Sequence, residues 1–441
     1  MGGHHMYRKL LLASAALAAA QAAPAAAKDV VIHAGTLIDA VSAAPRRQVS
    51  IIIKDDRIAS VESGFVAGPA GAEVIDLSNS TVLPGFIDVH DHVTGGGARK
   101  DRLRGTAAQQ GMQAVWNVRA ILKGGFTSVR DVGGNMEVLS ALQGAIDDGL
   151  IPGPRLTISG PAISPTGGHS DPSNGIDPAW DRHDQWKMTV IDGPDEAMRA
   201  VRELRKRGAQ VIKIHSSGGV ASVGDDPNLQ LLNDAELNAI VSTAHSLGMK
   251  VASHAHGKPG IDAAVKAGVD SIEHGTYSDD ETYRLMKERG TFMVPTLFAA
   301  KEIYDVAVTT PDKLPPTVAG KAVAVTPTMT HNALGAYRAG VKMALGTDQL
   351  GWRPHGENAK EFEYLVAAGI KPMDAILMGT RNAAELLGKT QDIGTIQQGR
   401  YADIVAVDGD PVQDIKVLQS VRFVMKGGKV FKTDGEMLAE K

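Results

Sequence analysis

The chain has no cysteine among its 441 residues. Disulfides, thiolate metal sites and cysteine nucleophiles are therefore all excluded. This absence suits an oxidising compartment without identifying one. The formal net charge is only -4, and no basic run or patch stands out. Nothing here supports nucleic-acid binding. There is no internal repeat and no phosphate-loop or dinucleotide fingerprint. Beyond the N-terminus no apolar run reaches a membrane-spanning length.

The N-terminus carries a processing signal. Met1-Gly2-Gly3-His4-His5 reads as an expression tag. Met6 then opens a secretory pattern, with Arg8-Lys9 as the basic region and residues 10–20 as the apolar core. Ala25-Ala26-Ala27 offers a cleavage site before Lys28. A membrane anchor or an Ala-rich arm is the alternative, but the apolar run is short for a transmembrane helix. Residues 1–27 are thus expected to be tag and signal peptide. The mature protein should be soluble and periplasmic or secreted, starting near Lys28.

Residues 28–84 read as short strands (30–33, 49–54, 58–62 and 74–76), with Asp55-Asp56 as a hairpin turn. From Phe86 onward, apolar strand-like runs alternate with amphipathic stretches. The expected strands are 86–90, 128–132, 155–159, 211–214, 251–254, 271–274, 292–295 and 342–345. Helical patterns cover 197–207, 234–247, 260–267 and 280–289. Eight such units suit a (β/α)8 TIM barrel over residues 85–390. A doubly wound sheet is the rival, and the missing nucleotide fingerprint counts against it. After a helix near residues 382–388 the β pattern returns at 401–407 and 421–426. Residues 28–84 and 391–441 are therefore expected to form one small β-sandwich from both chain ends. Two irregular stretches, 160–192 with Trp180 and Trp186, and 309–327 rich in Pro and Thr, are expected as substrate loops.

The chemistry gathers at strand ends. His90 and His92 lie one residue apart in Val89-His90-Asp91-His92. Alternate residues of a strand share a face, so both imidazoles aim at one point. Imidazole is the commonest side-chain metal ligand. Lys213, His254, His274 and Asp348 follow, each near the end of its own expected strand, at the face where barrel sites lie. On this reading one metal sits among His90, His92 and Asp348, and a second between His254 and His274. Lys213 bridges them. An ammonium cannot ligate a cation, so Lys213 must be neutral or modified; a CO2-derived carbamate would span two metals. The donor set suits zinc best among divalent ions, with manganese, cobalt and iron as alternatives. Taken singly each residue has a plain structural role, Asp348 as a helix cap for instance. Lys213 is the least easily explained, since Val211-Ile212-Lys213-Ile214 puts a charge in an apolar strand. Around this set, His256, His169, His215, Arg130, Tyr277 and His355 lie at or beyond strand ends, where each could hold a substrate carboxylate or orient a ligand; His256, two residues after His254, could also replace it as the ligand.

Pro84-Gly85-Phe86-Ile87-Asp88-Val89-His90-Asp91-His92, Val211-Ile212-Lys213-Ile214, Ser253-His254-Ala255-His256-Gly257, Ser271-Ile272-Glu273-His274-Gly275 and Gly346-Thr347-Asp348 occur in that order. With the closing Gly399-Arg400-Tyr401-Ala402-Asp403-Ile404-Val405-Ala406-Val407, they resemble the metal-dependent amidohydrolase superfamily over nearly all of the mature chain. Gly218-Gly219 and Gly167-Gly168-His169 resemble the branch of Xaa-Pro dipeptidases, imidazolonepropionase-like proteins and ochratoxin-hydrolysing amidases. The resemblance implies His90, His92, Lys213, His254, His274 and Asp348 as ligands of two divalent ions, with Lys213 carboxylated and Asp348 as proton shuttle. It implies direct attack by a metal-bridging hydroxide, the oxyanion being held by metal with aid from His169.

The leading expectation is an exported amidohydrolase cleaving an amide or peptide bond next to a free carboxylate. Dipeptides, N-acyl amino acids and ochratoxin A are the substrate types. The enzymatic alternatives are an imidazolonepropionase-like ring hydrolase and a deaminase. One-metal deaminases do not need a bridging lysine, and export argues against a cytosolic catabolic step. A non-catalytic binding protein on the same fold is the third reading, disfavoured by the complete ligand set. The sequence leaves homo-oligomerisation open.

Overall fold

The structure is a computed structural model and describes residues 29–95, 106–175, 177, 188–349, 351 and 354–439. The expected tag and signal peptide at residues 1–27, Lys28, Trp180 and Trp186 lie outside the described residues.

Both chain ends build one sheet. The N-terminal part supplies β1 (Val30–Leu37), β2 (Arg46–Lys54), β3 (Arg57–Ser63) and β4 (Glu73–Pro84). The later strands of the chain are β5 (Phe86–Asp91), β6 (Phe126–Asp131), β7 (Arg155–Ile158), β8 (Val211–His215), β9 (Lys250–Ala255), β10 (Ser271–His274), β11 (Phe292–Val294), β12 (Ile404–Val407), β13 (Val421–Lys426), β14 (Lys429–Thr433) and β15 (Glu436–Met437). The terminal strands form an eight-stranded sheet in the order β15-β14-β13-β12-β4-β1-β2-β3. Its seam is β4, parallel to β1 and antiparallel to β12. Ile32, Ile51 and Ile58 from one end of the chain share an apolar core with Ile404, Phe423 and Met425 from the other. Only 74–76 of β4 was legible as a strand, because Ser78-Asn79-Ser80-Thr81 breaks the apolar alternation.

Between these ends, short parallel strands alternate with helices. One parallel sheet runs β5-β6-β7 and another β11-β10-β9-β8. Every residue of β5, β6 and β8 is buried, as expected for strands covered on both faces. The sheets are linked at both edges. Ile163 bridges Ile214 beyond β7, and Met343 bridges Met293 of β11. Val89 N–H donates to Leu345 and Thr347 N–H to His90 on the far side. The expected strand at 342–345 is therefore extended and bonded on both sides, but too short to register as more than a bridge.

The helices are set by local signals. In α1 (Ala107–Lys123), Thr106 and Gln109 cap reciprocally; in α4 (Asp234–Ser246), Asn233 and Glu236 do the same. The other helices before β11 are α2 (Met136–Asp147), α3 (Pro194–Lys206), α5 (Lys258–Ala267) and α6 (Asp280–Arg289). The stretch 309–327 is not a loop, which corrects the sequence reading. After α7 (Leu297–Thr309) and one 3-10 turn, α8 (Pro316–Ala339) contains most of it. Pro316 starts the helix, where a missing N–H costs nothing. Val318, Ala322, Val325 and Met329 then bury one face, so the packing of that face outweighs the break expected from Pro327. No helix among the described residues is long and apolar enough to cross a membrane.

Phe86 anchors the start of β5 against Phe126 and Phe362, with ring centroids 5.5 and 5.2 Å apart. Phe86→Ala should lower unfolding free energy by about 3–5 kcal/mol, read from urea denaturation. A loss below about 1 kcal/mol would show that the site strand does not depend on this cluster.

Candidate metal centre

Three groups of potential ligands gather at the C-terminal ends of the parallel strands: His90, His92 and Asp348; His254, His256 and His274; and His169, His215 and His254. The first two groups touch, since the His90 and His274 rings lie 5.3 Å apart. All six expected ligands are thus brought together. Lys213, on β8, is 2% exposed, and its Nζ is 3.4 Å from His90 Nε2.

Hydrogen bonds fix which ring edge faces the centre. His90 Nδ1 lies 2.7 Å from Glu273 Oε2. Burial alone would raise the Glu273 carboxyl, but the charge of Arg130 and the bond to His90 bring it down to about 2. Glu273 is therefore an acceptor, His90 Nδ1 carries the proton, and Nε2 faces inward. His92 Nδ1 donates to the Gly133 carbonyl at 2.9 Å, which also turns Nε2 inward, 3.0 Å from Asp348 Oδ1. His274 Nδ1 is 2.6 Å from Thr296 Oγ1, whose own proton goes to the Pro295 carbonyl. Its Nε2 is then an unprotonated donor atom, 2.9 Å from His254 Nδ1. Anchoring one ring nitrogen on a protein acceptor is how metal-ligating histidines are held.

The electrostatics of the two halves differ. Burial, reinforced by neighbouring imidazoles, pushes His254 and His274 well below the ordinary histidine value. The two rings face each other at 2.9 Å, a single proton on His254 Nδ1 satisfying the His274 Nε2 lone pair, and Asp348 is the carboxylate whose charge works against the fall of His274. In the other half burial opposes protonation of His92, but Asp348 outweighs it and raises the ring above its usual value. Burial likewise opposes ionisation of Asp348, yet His90 and His92 hold it well below the carboxylate range. Burial brings the Lys213 ammonium down to about 8 against the pull of Glu273 and Asp348. The donor set fits divalent cations: buried imidazoles, one ionised carboxylate and a lysine whose ammonium is weakened by burial.

Backbone strain sits at the same place. His274, Thr296 and Asp348 have φ of 74°, 51° and 53°, a left-handed conformation that is uncommon for side chains of this kind. His274 is the last residue of β10, Thr296 lies two residues beyond β11 and bonds His274 from behind, and Asp348 lies just beyond the segment 342–345.

The second-tier residues separate. Arg130 is buried, with its guanidinium on Glu273 at 2.9 Å, Ser271 at 3.2 Å and the Val89 carbonyl. Of its two expected roles, this geometry fits orienting a ligand, not holding a substrate carboxylate. His256 stacks on His274 and bonds Thr276 Oγ1 at 2.7 Å. His215 is buried, and its Nδ1 has no hydrogen-bond partner among the described residues. His169 stacks on His254 with centroids 4.4 Å apart. His355 Nε2 comes within 3.2 Å of Asp91 Oδ1, but too poorly aligned for a hydrogen bond. Tyr277 lines a groove of about 450 Å³ beside α8, together with Asn228 and Lys321. Sequence reasoning missed Glu273 and Thr296. An acid in the apolar strand Ser271-Ile272-Glu273-His274 was a signal of the same kind as Lys213; Thr296 gave none.

This is the arrangement of a metal-dependent hydrolase. The amidohydrolase family matches residues 81–431, and the chain belongs to that family; it is a hydrolase acting on C–N bonds. It is similar to an ochratoxinase of Aspergillus niger, 35% identical over 93% of this chain and 88% of the relative. It is also similar to the crystal structure of a Xaa-Pro dipeptidase with bound methionine in the active site. That likeness has a TM-score of 0.88 at 39% identity, over 92% of this chain and all of the other. A prolidase solved with N-methylphosphonate-L-proline gives a TM-score of 0.85 at 32% identity, over 92% of this chain and 100% of that one.

Glu273→Gln removes the charge that faces both Arg130 and His90. Divalent-ion affinity should fall about 10–100-fold, measured by competition with a chromogenic chelator. Unchanged affinity would show that the Glu273–His90 bond does not organise the centre.

Proposed function

We propose that this chain is an exported binuclear amidohydrolase that cleaves an amide or peptide bond adjacent to a free carboxylate. The observation that carries this is the convergence of His90, His92, Lys213, His254, His274 and Asp348, with donor atoms turned inward by partners behind them. His90, His92 and Asp348 would hold one cation and His254 and His274 the other, zinc being the best match. Lys213, as a carbamate, would join them. Its lowered basicity supports this, because only the neutral amine reacts with CO2. The edge links between the two parallel sheets support a closed (β/α)8 barrel over residues 85–390, with residues 28–84 and 391–441 as its flanking β unit. The signal pattern at residues 1–27 supports a periplasmic or secreted location.

When bound, the two cations would polarise the substrate carbonyl and lower the pKa of water to about 7. Asp348 takes the proton of the attacking water and delivers it to the leaving amine. His169 faces the developing oxyanion. Glu273 and Thr296 keep His90 and His274 in place throughout. The names of the similar proteins support substrates whose leaving group is an amino acid: Xaa-Pro dipeptides, N-acyl amino acids and ochratoxin A.

The test is metal analysis together with a screen of those three substrate types. About two divalent ions per chain and chelator-sensitive release of a free amino acid are expected, with Lys213→Ala lowering kcat/KM by more than about 100-fold. Full activity in Lys213→Ala, or hydrolysis by a metal-free chain, would overturn the reading.

A further inference from the structure

His169 is held from behind by a relay that reaches α8. Its Nδ1 lies 2.7 Å from Ser222 Oγ and 3.2 Å from Asp225 Oδ2. The Ser222 hydroxyl donates to Asp225 Oδ1, so its oxygen accepts from His169, and Nδ1 is the protonated nitrogen. Nε2 is then the edge left for substrate. The Asp225 carboxylate is almost wholly buried and also accepts from Gly219 N–H at 2.8 Å. Burial works against its ionisation, but His169, Ser222 and Gly219 hold its carboxyl well below the ordinary range.

The opposite side of this loop is closed by Lys321 of α8. Its ammonium donates to the carbonyls of Gly219, Ser222 and Asp225 at 2.6, 2.8 and 3.1 Å, and lies 3.3 Å from Asp225 Oδ1. Four oxygens of one short loop thus converge on a cation about a hundred residues away in the chain. The loop also needs its glycine. A Cβ at Gly219 would come within 2.0 Å of the His169 ring, closer than any side chain could be accommodated.

We propose that Lys321 and Asp225 are positioning residues for the hydrolytic reaction, forming with Ser222 a relay that sets the orientation of His169 over His254. This rests on the reading above, in which His169 serves the oxyanion. Lys321 supplies the charge that keeps the loop closed, Asp225 and Ser222 bind Nδ1, and the imidazole is presented by Nε2. A helix on the rim is thereby tied to the reacting carbonyl.

The experiment is a double-mutant cycle on the full-length, metal-loaded chain, with metal content and thermal transition measured for each variant. Lys321→Met should lower kcat about 10–100-fold with KM little changed, since an oxyanion contact is made in the transition state. Lys321→Arg should restore most of the loss. In a His169→Ala background, Lys321→Met should change kcat/KM by less than about 2-fold, because the relay has nothing left to orient. If Lys321→Met does not fold, Asp225→Asn, which keeps size and shape, should give the same loss of kcat and the same silence beside His169→Ala. Losses that multiply with His169→Ala, or a Lys321→Met enzyme with full kcat, overturn the relay while leaving the hydrolase standing. A fully active His169→Ala enzyme instead overturns the role of His169 in catalysis. Loss of metal and of all hydrolysis in Lys213→Ala tests the hydrolase reading separately.

Discussion

The centre depends on buried imidazoles whose outer nitrogens are already committed. A histidine that donates Nδ1–H to a fixed acceptor can turn only Nε2 inward, and a buried Nε2 lone pair without a partner is costly. His90, His92 and His274 are committed in this way to Glu273, Gly133 and Thr296. Converging such rings in one place creates a demand for positive charge that water cannot meet at low dielectric. A divalent cation meets it with several donors at once. The fold thus prepares the cation site before any cation binds, because the anchors come from other segments than the ones that carry the rings: Glu273 of β10 for His90 of β5, Gly133 beyond β6 for His92, and Thr296 beyond β11 for His274.

Arg130 and Glu273 show how far this preparation extends. Arg130 stands on β6 of one parallel sheet and Glu273 on β10 of the other, and they meet next to His90 of β5. Removing either would leave a charge buried and unpaired, which costs more than the pair itself contributes. The pair therefore resists drift, and His90 inherits that rigidity. The same logic explains the left-handed residues. His274, Thr296 and Asp348 tolerate unfavourable φ because each is held by bonds on more than one side.

The ligands could be read from the sequence because their signal is local. His90 and His92 share a strand face by spacing alone, and Lys213 and Glu273 stand out as charges in apolar strands. Most expected strands fall within one or two residues of those found, for the same reason: an apolar run between turn residues is a local pattern. The relations between strands were not legible. That Arg130 reaches Glu273 instead of a substrate, or that β4 runs on through Ser78-Asn79-Ser80 to pair with β12, follows from register across distant segments. The segment 309–327 was misread because Pro and Thr suggest a loop, whereas burial of Val318, Ala322, Val325 and Met329 is a tertiary effect.

Fixed chemistry and adjustable specificity make opposite demands on such a site. The cation anchors sit on fully buried strands and have little freedom to change. A substrate must be distinguished by groups at the rim, where loops can vary without disturbing the core. With the proposed relay in place, the rim of this chain is not independent of the chemistry. The groove beside α8 is walled by Lys321, Asp225 and Tyr277; Asp225 bonds His169, and Lys321 bonds Asp225. On the proposed role of His169, a substrate side chain pressing on that wall would shift the imidazole that serves its own carbonyl. Tying the helix to the loop by several hydrogen bonds makes the wall stiff, so that a poorly fitting side chain costs alignment at the carbonyl as well as contact in the groove. Discrimination is then expressed in the rate of the chemical step and not only in binding.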